Sequence, residues 1–201
     1  MLTHVAGGML AVAGLVVLTV YAASAHDPRR VVAVSIYGVS LVLMYSASSC
    51  YHFVNPPKLK RILKIVDHAS IYLLIAGTYT PKLLISMRGP WGWSLFGVVW
   101  GMAIAGVILK LFFVDRFKAL STAIYVLMGW LVLIAAKSLF SSVPHHGIVW
   151  LFAGGISYTG GVAFYLWERL PFNHAIWHLF VIAGSVCHFL AVFFYVLPVV
   201  K

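Results

Sequence analysis

Seven stretches of about 20 predominantly apolar residues, separated by short clusters of charge, proline and glycine, run through this chain of 201 residues. Lipid offers the backbone no hydrogen-bond partners, so a stretch of that length can cross the hydrocarbon only as a helix that satisfies itself internally. The pattern predicts an all-α integral membrane protein, a single seven-helix transmembrane domain over 1–201, with spans near 4–24, 31–54, 66–86, 92–113, 119–137, 148–167 and 175–197. The gaps are Asp27-Pro28-Arg29-Arg30, Asn55-Pro56-Pro57-Lys58, Arg88-Gly89-Pro90, Asp115-Arg116-Phe117-Lys118, Pro144-His145-His146 and Glu168-Arg169-Leu170-Pro171. None has room for a soluble domain.

Composition agrees, with 63% of residues hydrophobic and 9% charged. Fourteen Lys and Arg against four acids would suggest nucleic acid in a polar chain, but here the basic residues sit between apolar runs, where lipid headgroups are their partners. Cys50 and Cys187 both fall inside apolar runs, which excludes a disulfide scaffold and predicts two small buried hydrophobes. Ala23-Ser24-Ala25 resembles a signal-peptide cleavage site. The apolar stretch before it is longer than a signal core and lacks a basic n-region, so the segment is expected to stay as the first helix.

Counting basic residues on alternate sides of seven spans places Lys58, Lys60, Arg61, Lys64, Lys110, Arg116, Lys118 and Arg169 on the amino-terminal side. Arg29, Arg30, Lys82, Arg88, Lys137 and Lys201 fall on the other. The compact run Lys58 to Lys64 decides the orientation, predicting a cytoplasmic amino terminus and a carboxyl terminus outside. Trp91, Trp93 and Trp150 then belong to the outer aromatic belt.

An ionisable side chain inside a span is a functional candidate by default. Asp27, Asp115 and Glu168 each lie within two residues of an arginine in a loop, whereas Asp67 opens the predicted third span, where a helix N-cap is its plain alternative. His26, His145 and His146 belong to loops. His4, His52, Asp67, His174 and His178 all fall at helix ends on the amino-terminal side. His174 and His178 stand at i and i+4 on one helical face, as do Ser48 and His52. A His-x-x-x-His pair with one histidine from a neighbouring helix supplies the ligand set of a catalytic zinc with an open fourth position. His188, about 15 Å deeper than His178, is too far to share such a metal, and is expected to line a polar cavity or make an interhelical hydrogen bond.

Three motifs resemble the hemolysin III-like branch of the progestin and adipoQ receptor (PAQR) family: Ser48-Ser49-Cys50-Tyr51-His52, the run from Asp67 to Pro81, and His174-Ala175-Ile176-Trp177-His178 with His188 following. Thr3-His4 corresponds to the Thr/Ser-His pair that family carries at its first helix. The resemblance covers almost the whole chain. It implies seven helices with the amino terminus in the cytoplasm, a bacterial inner-membrane location, and zinc held by His52, His174 and His178, with Asp67 and Ser48 as catalytic residues around the metal's open position. Alkaline ceramidases look similar at these positions, so the implied activity is hydrolysis of a lipid amide or ester that arrives sideways from the bilayer. In that chemistry Asp67 accepts a proton from water, and Ser48 donates a hydrogen bond to the developing oxyanion or orients a ligand. The competing readings are a non-enzymatic homeostasis or sensor protein with structural zinc, and a cytolysin. No span carries the repeating polar stripe of a pore, and no lysine lies within the seventh span to bind retinal.

Overall fold

The computed structural model describes residues 2–198. Seven of its helices are long and apolar enough to cross a membrane, and no strand occurs among the described residues. In chain order they are α1 (Leu2–Ala23), α2 (Pro28–Phe53), α3 (Pro57–Pro81), α4 (Pro90–Phe113), α5 (Lys118–Trp130) with α6 (Ala136–Ser142), α7 (His145–Leu166) and α8 (Asn173–Ala191). Pro28, Pro57 and Pro90 each stand in the first turn of a helix, where the missing N–H is no loss. Lys201, counted above on the outer side, lies outside the described residues.

Helix starts differ from the hydropathy reading in an informative way. The third span begins at Pro57, nine residues before the predicted edge, because Lys58 to Lys64 occupy its opening turns instead of a loop. Basic residues on such turns reach the headgroups with their long stems while the backbone stays helical. Asp67 is therefore ten residues into α3 and is no N-cap. His145 and His146 likewise open α7 rather than sit in a loop. Cys50 corrects another expectation: it is exposed, since it stands two residues and about 200° round the helix from buried Ser48. Cys187 is half-buried.

Three spans depart from plain α-geometry. Pro81 lacks the N–H that would close the ladder, and the third span continues as one π-helical turn, Lys82–Ser86. The seventh ends in a second π turn, Val192–Val196, packed against the first. The fifth span passes through a 3₁₀ segment, Leu131–Ala135, between α5 and α6. There the Tyr79 hydroxyl donates to the Gly129 carbonyl at 2.7 Å and accepts from the Val132 N–H at 3.1 Å. A side chain inserted in this way is a recognised cause of helix bending.

The core lies in two clusters. One, around Leu18, Val34, Tyr37 and Tyr45, joins α1, α2 and α8; the other, around Tyr72, Val99, Met128 and Leu139, joins α3 to α6. The first segment thus packs as an integral helix, with Leu18 and Ala22 fully buried. Helices approach closely where a side chain is missing: a Cβ on Gly77 would meet Ser40 Oγ of α2 at 2.2 Å. Buried Ser40, Ser70, Thr78 and Thr80 return their hydroxyls to carbonyls three or four residues back. Trp91 and Trp93 are exposed at the start of α4, the end of the bundle away from the clustered histidines.

Candidate functional site

The site is assembled at the ends of α1, α2, α3 and α8. Val54 turns extended before Asn55-Pro56 and stops α2, leaving His52 in its last turn and Ser48 one turn below on the same face. After the break at Pro171, α8 starts at Asn173, so His174 and His178 stack on its first two turns.

His52, His174 and His178 converge so that one ring nitrogen from each lies within 4.8 Å of the others. His52 Nε2 and His174 Nε2 are 3.0 Å apart. Two nitrogens bound to one tetrahedral zinc at about 2.0–2.1 Å would be separated by roughly 3.3 Å, so the spacing suits a shared ion after a small adjustment. His178 Nδ1 lies 3.3 Å from Thr3 Oγ1. In the tautomer that donates Nδ1–H to that hydroxyl, Nε2 keeps its lone pair free for a metal. Donor set, spacing and orienting contact therefore fit zinc.

His4 is not a fourth member of the cluster. Its ring stacks on His178 at 3.4 Å and meets Tyr45 edge-on at 5.1 Å, and both of its nitrogens are buried without partners. Asp67 and Ser48, both buried, line a cavity together with His174 and His178. Among the described residues no lysine or arginine lies within 4 Å of the Asp67 carboxylate; His68 Nδ1 is 3.7 Å away and donates to the Lys64 carbonyl at 2.8 Å. The other three acids are engaged. Asp115 accepts from Lys64 at 2.7 Å, Glu168 from Lys118 at 2.5 Å, and Asp27 pairs with Arg88 and Arg30. Hydrogen bonds from the lysines hold the Asp115 and Glu168 carboxyls below their usual range.

Behind the histidines, Ser185 Oγ accepts from Tyr45 at 2.8 Å and bonds Tyr158 at 2.9 Å, knitting α2, α7 and α8 together. His188 lines the cavity and stacks on Tyr158 at 5.5 Å; it lines a cavity as expected, but one whose walls are mostly apolar. Sequence reasoning passed over two residues. Lys82, counted as an outer-side charge, is buried and lines the same cavity; an ionisable residue within the predicted span 66–86 was the signal for it. Lys110 is buried too, and setting aside one lysine from each side leaves the charge bias as it was.

Fold and site together define a multi-pass membrane protein whose converging histidines come from its second and seventh spans. Residues 1–189 match the Haemolysin-III related family, and the chain belongs to it. It is 50% identical over 197 residues to "Hemolysin-3" of Bacillus cereus, covering 98% of this chain and 90% of that one. To "Hemolysin-3 homolog" of Bacillus subtilis (strain 168) it is 46% identical, covering 98% and 93%. A more distant relative, the human "Monocyte to macrophage differentiation factor", is 30% identical over 166 residues, 80% of this chain and 68% of that protein. The bacterial relatives support a location in the cell membrane.

Proposed function

We propose that the chain is a zinc-dependent membrane hydrolase of lipid amides or esters, ceramidase-like in its chemistry. The observation that carries this reading is the convergence of three histidines beside an apolar cavity that two of them, His174 and His178, line together with the buried carboxylate of Asp67 and the buried hydroxyl of Ser48. His52, His174 and His178 would hold the ion, which supplies Lewis-acid polarisation of a carbonyl and brings the pKa of water toward about 7. Asp67 takes the proton that water loses as its oxygen attacks the carbonyl carbon, then returns it to the leaving amine or alkoxide as the C–N or C–O bond breaks. Ser48 donates its hydroxyl hydrogen to the oxygen on which charge develops. Thr3 fixes the His178 tautomer, and the apolar walls hold the chain and exclude water from everything but the reacting bond.

Asp67→Asn tests this directly. The amide keeps the size of the side chain but accepts no proton, so fatty-acid release should fall by roughly 10²–10⁴-fold while zinc content and melting temperature stay at wild-type values. The measurement is release of fatty acid from a panel of ceramides, phospholipids and N-acyl lipids at matched zinc content. Wild-type protein that releases nothing above its zinc-free form refutes the hydrolase and favours a non-enzymatic sensor with structural zinc.

A further inference from the structure

The cavity has a second polar end. On α3 one continuous face, Asp67, Ile71, Leu74, Thr78 and finally Lys82 in the π turn, lines it over 15 residues, or about 22 Å at 1.5 Å per residue. Lys82 is only 5% exposed. Among the described residues no carboxylate lies within 4 Å of its ammonium, and its charge meets only the Tyr79 ring, 4.9 Å away. Three acids are committed to pairs at the helix ends, and the fourth, Asp67, stands at the far end of the same face. On α8 the matching residue is His188, ten residues beyond His178, 7% exposed and with its Nδ1 buried and unpartnered. Gly154 of α7 makes room for that ring, because a Cβ there would meet it at 2.8 Å.

We propose that Lys82 and His188 form an anion-binding subsite, which takes the carboxylate or phosphate of a single-chain lipid whose tail lies along the cavity toward the histidines. A buried lysine offers three donors and no acceptor, and in an apolar interior its charge calls for an anion. The same charge disfavours a metal cation. The walls between the two ends are apolar, with Ile71, Leu74 and Val181 among them, and suit a hydrocarbon tail. Carboxylate and phosphate satisfy the ammonium alike, the first carried by a free fatty acid and the second by a phospholipid fragment. The subsite stands apart from any reaction at the histidines.

The test uses full-length protein in neutral detergent, titrated with radiolabelled palmitate, hexadecyl phosphate and uncharged hexadecanol. One or both anions should bind with about 1:1 stoichiometry and more tightly than hexadecanol; whichever saturates identifies the source. Lys82→Met should weaken the anion by at least about tenfold and leave hexadecanol unchanged, whereas Lys82→Arg should stay near wild type. Lys82→Gln serves the same purpose should the methionine variant fail to fold. His174→Ala, which removes a residue of the other end, should leave anion affinity within about threefold. Anions that bind no better than hexadecanol overturn the subsite, and so does anion binding that survives Lys82→Met but disappears with His174→Ala. The second result would place the anion at the histidines and leave the hydrolase reading intact; loss of hydrolysis with Lys82-dependent binding preserved would do the reverse.

Discussion

Replacing Tyr79 by Phe removes one oxygen atom from the hinge between α5 and α6, and the effect can be worked out from two distances. That hydroxyl gives its hydrogen to Gly129 O at 2.7 Å and receives one from Val132 N at 3.1 Å, bridging both sides of the 3₁₀ break. Side-chain hydrogen bonds in membrane bundles average about 0.6 kcal/mol and reach about 1.7, so two of them predict a loss of about 1.2 kcal/mol and at most about 3.4. For a chain of this size about 1.2 kcal/mol lowers the melting temperature by roughly 2–5 °C. Tyr125→Phe is the internal control, since its hydroxyl makes a single bond, 2.9 Å to His68 O, and should cost about half as much. Both variants would be followed by thermal unfolding in detergent, with hydrogen exchange at the Val132 amide as the local readout. Exchange there should speed up in Tyr79→Phe and stay unchanged in Tyr125→Phe. A Tyr79→Phe protein no less stable than Tyr125→Phe, with Val132 still protected, would show that the break is held by its own backbone and that the inserted hydroxyl is incidental.

Two further outcomes are expected. Purified protein should carry one zinc per chain, lost on His52→Ala, His174→Ala or His178→Ala and kept on His188→Ala; chelation should lower the melting temperature, because zinc at 1,000 times its dissociation constant contributes about 4 kcal/mol. Loss of zinc from His188→Ala alone would overturn the ligand assignment. Reporter fusions should place the turn 54–56, beside the Lys58 to Lys64 run, in the cytoplasm and the end of the seventh span outside. The opposite labelling would show that the buried lysines or the ion-paired loops outweigh that run.

What could be read in the sequence and what could not divide along physical lines. Spans were legible because a bilayer imposes one length and one polarity on every helix, and His174 with His178 because i and i+4 fall on one face whatever surrounds them. Helix edges were not: Lys58, Lys60 and Arg61 are polar enough to look like a loop, yet Pro57 opens a helix whose charged turns overhang the hydrocarbon. Asp67 was placed at the opening of its span, whereas it sits at neither cap but in the third turn, lining the cavity. Thr3 against His178, His4 stacked beside it, and Tyr79 in the break of the fifth span depend on contacts between residues 50 to 175 positions apart. No periodicity within one segment reports such contacts. Cys50 was misplaced because apolar character alone does not say which side of a helix faces lipid.

Because the histidine cluster draws on the second and seventh spans and leans on the first, the order of synthesis matters. His52 and Asp67 leave the ribosome roughly a hundred residues before His174, an interval of roughly 5–20 s at about 5–20 residues per second. Throughout it, Asp67 stands in α3 without the α8 histidines that line the cavity beside it. A nascent chain truncated before α8 therefore leaves that carboxylate on an apolar helix face that the completed bundle buries.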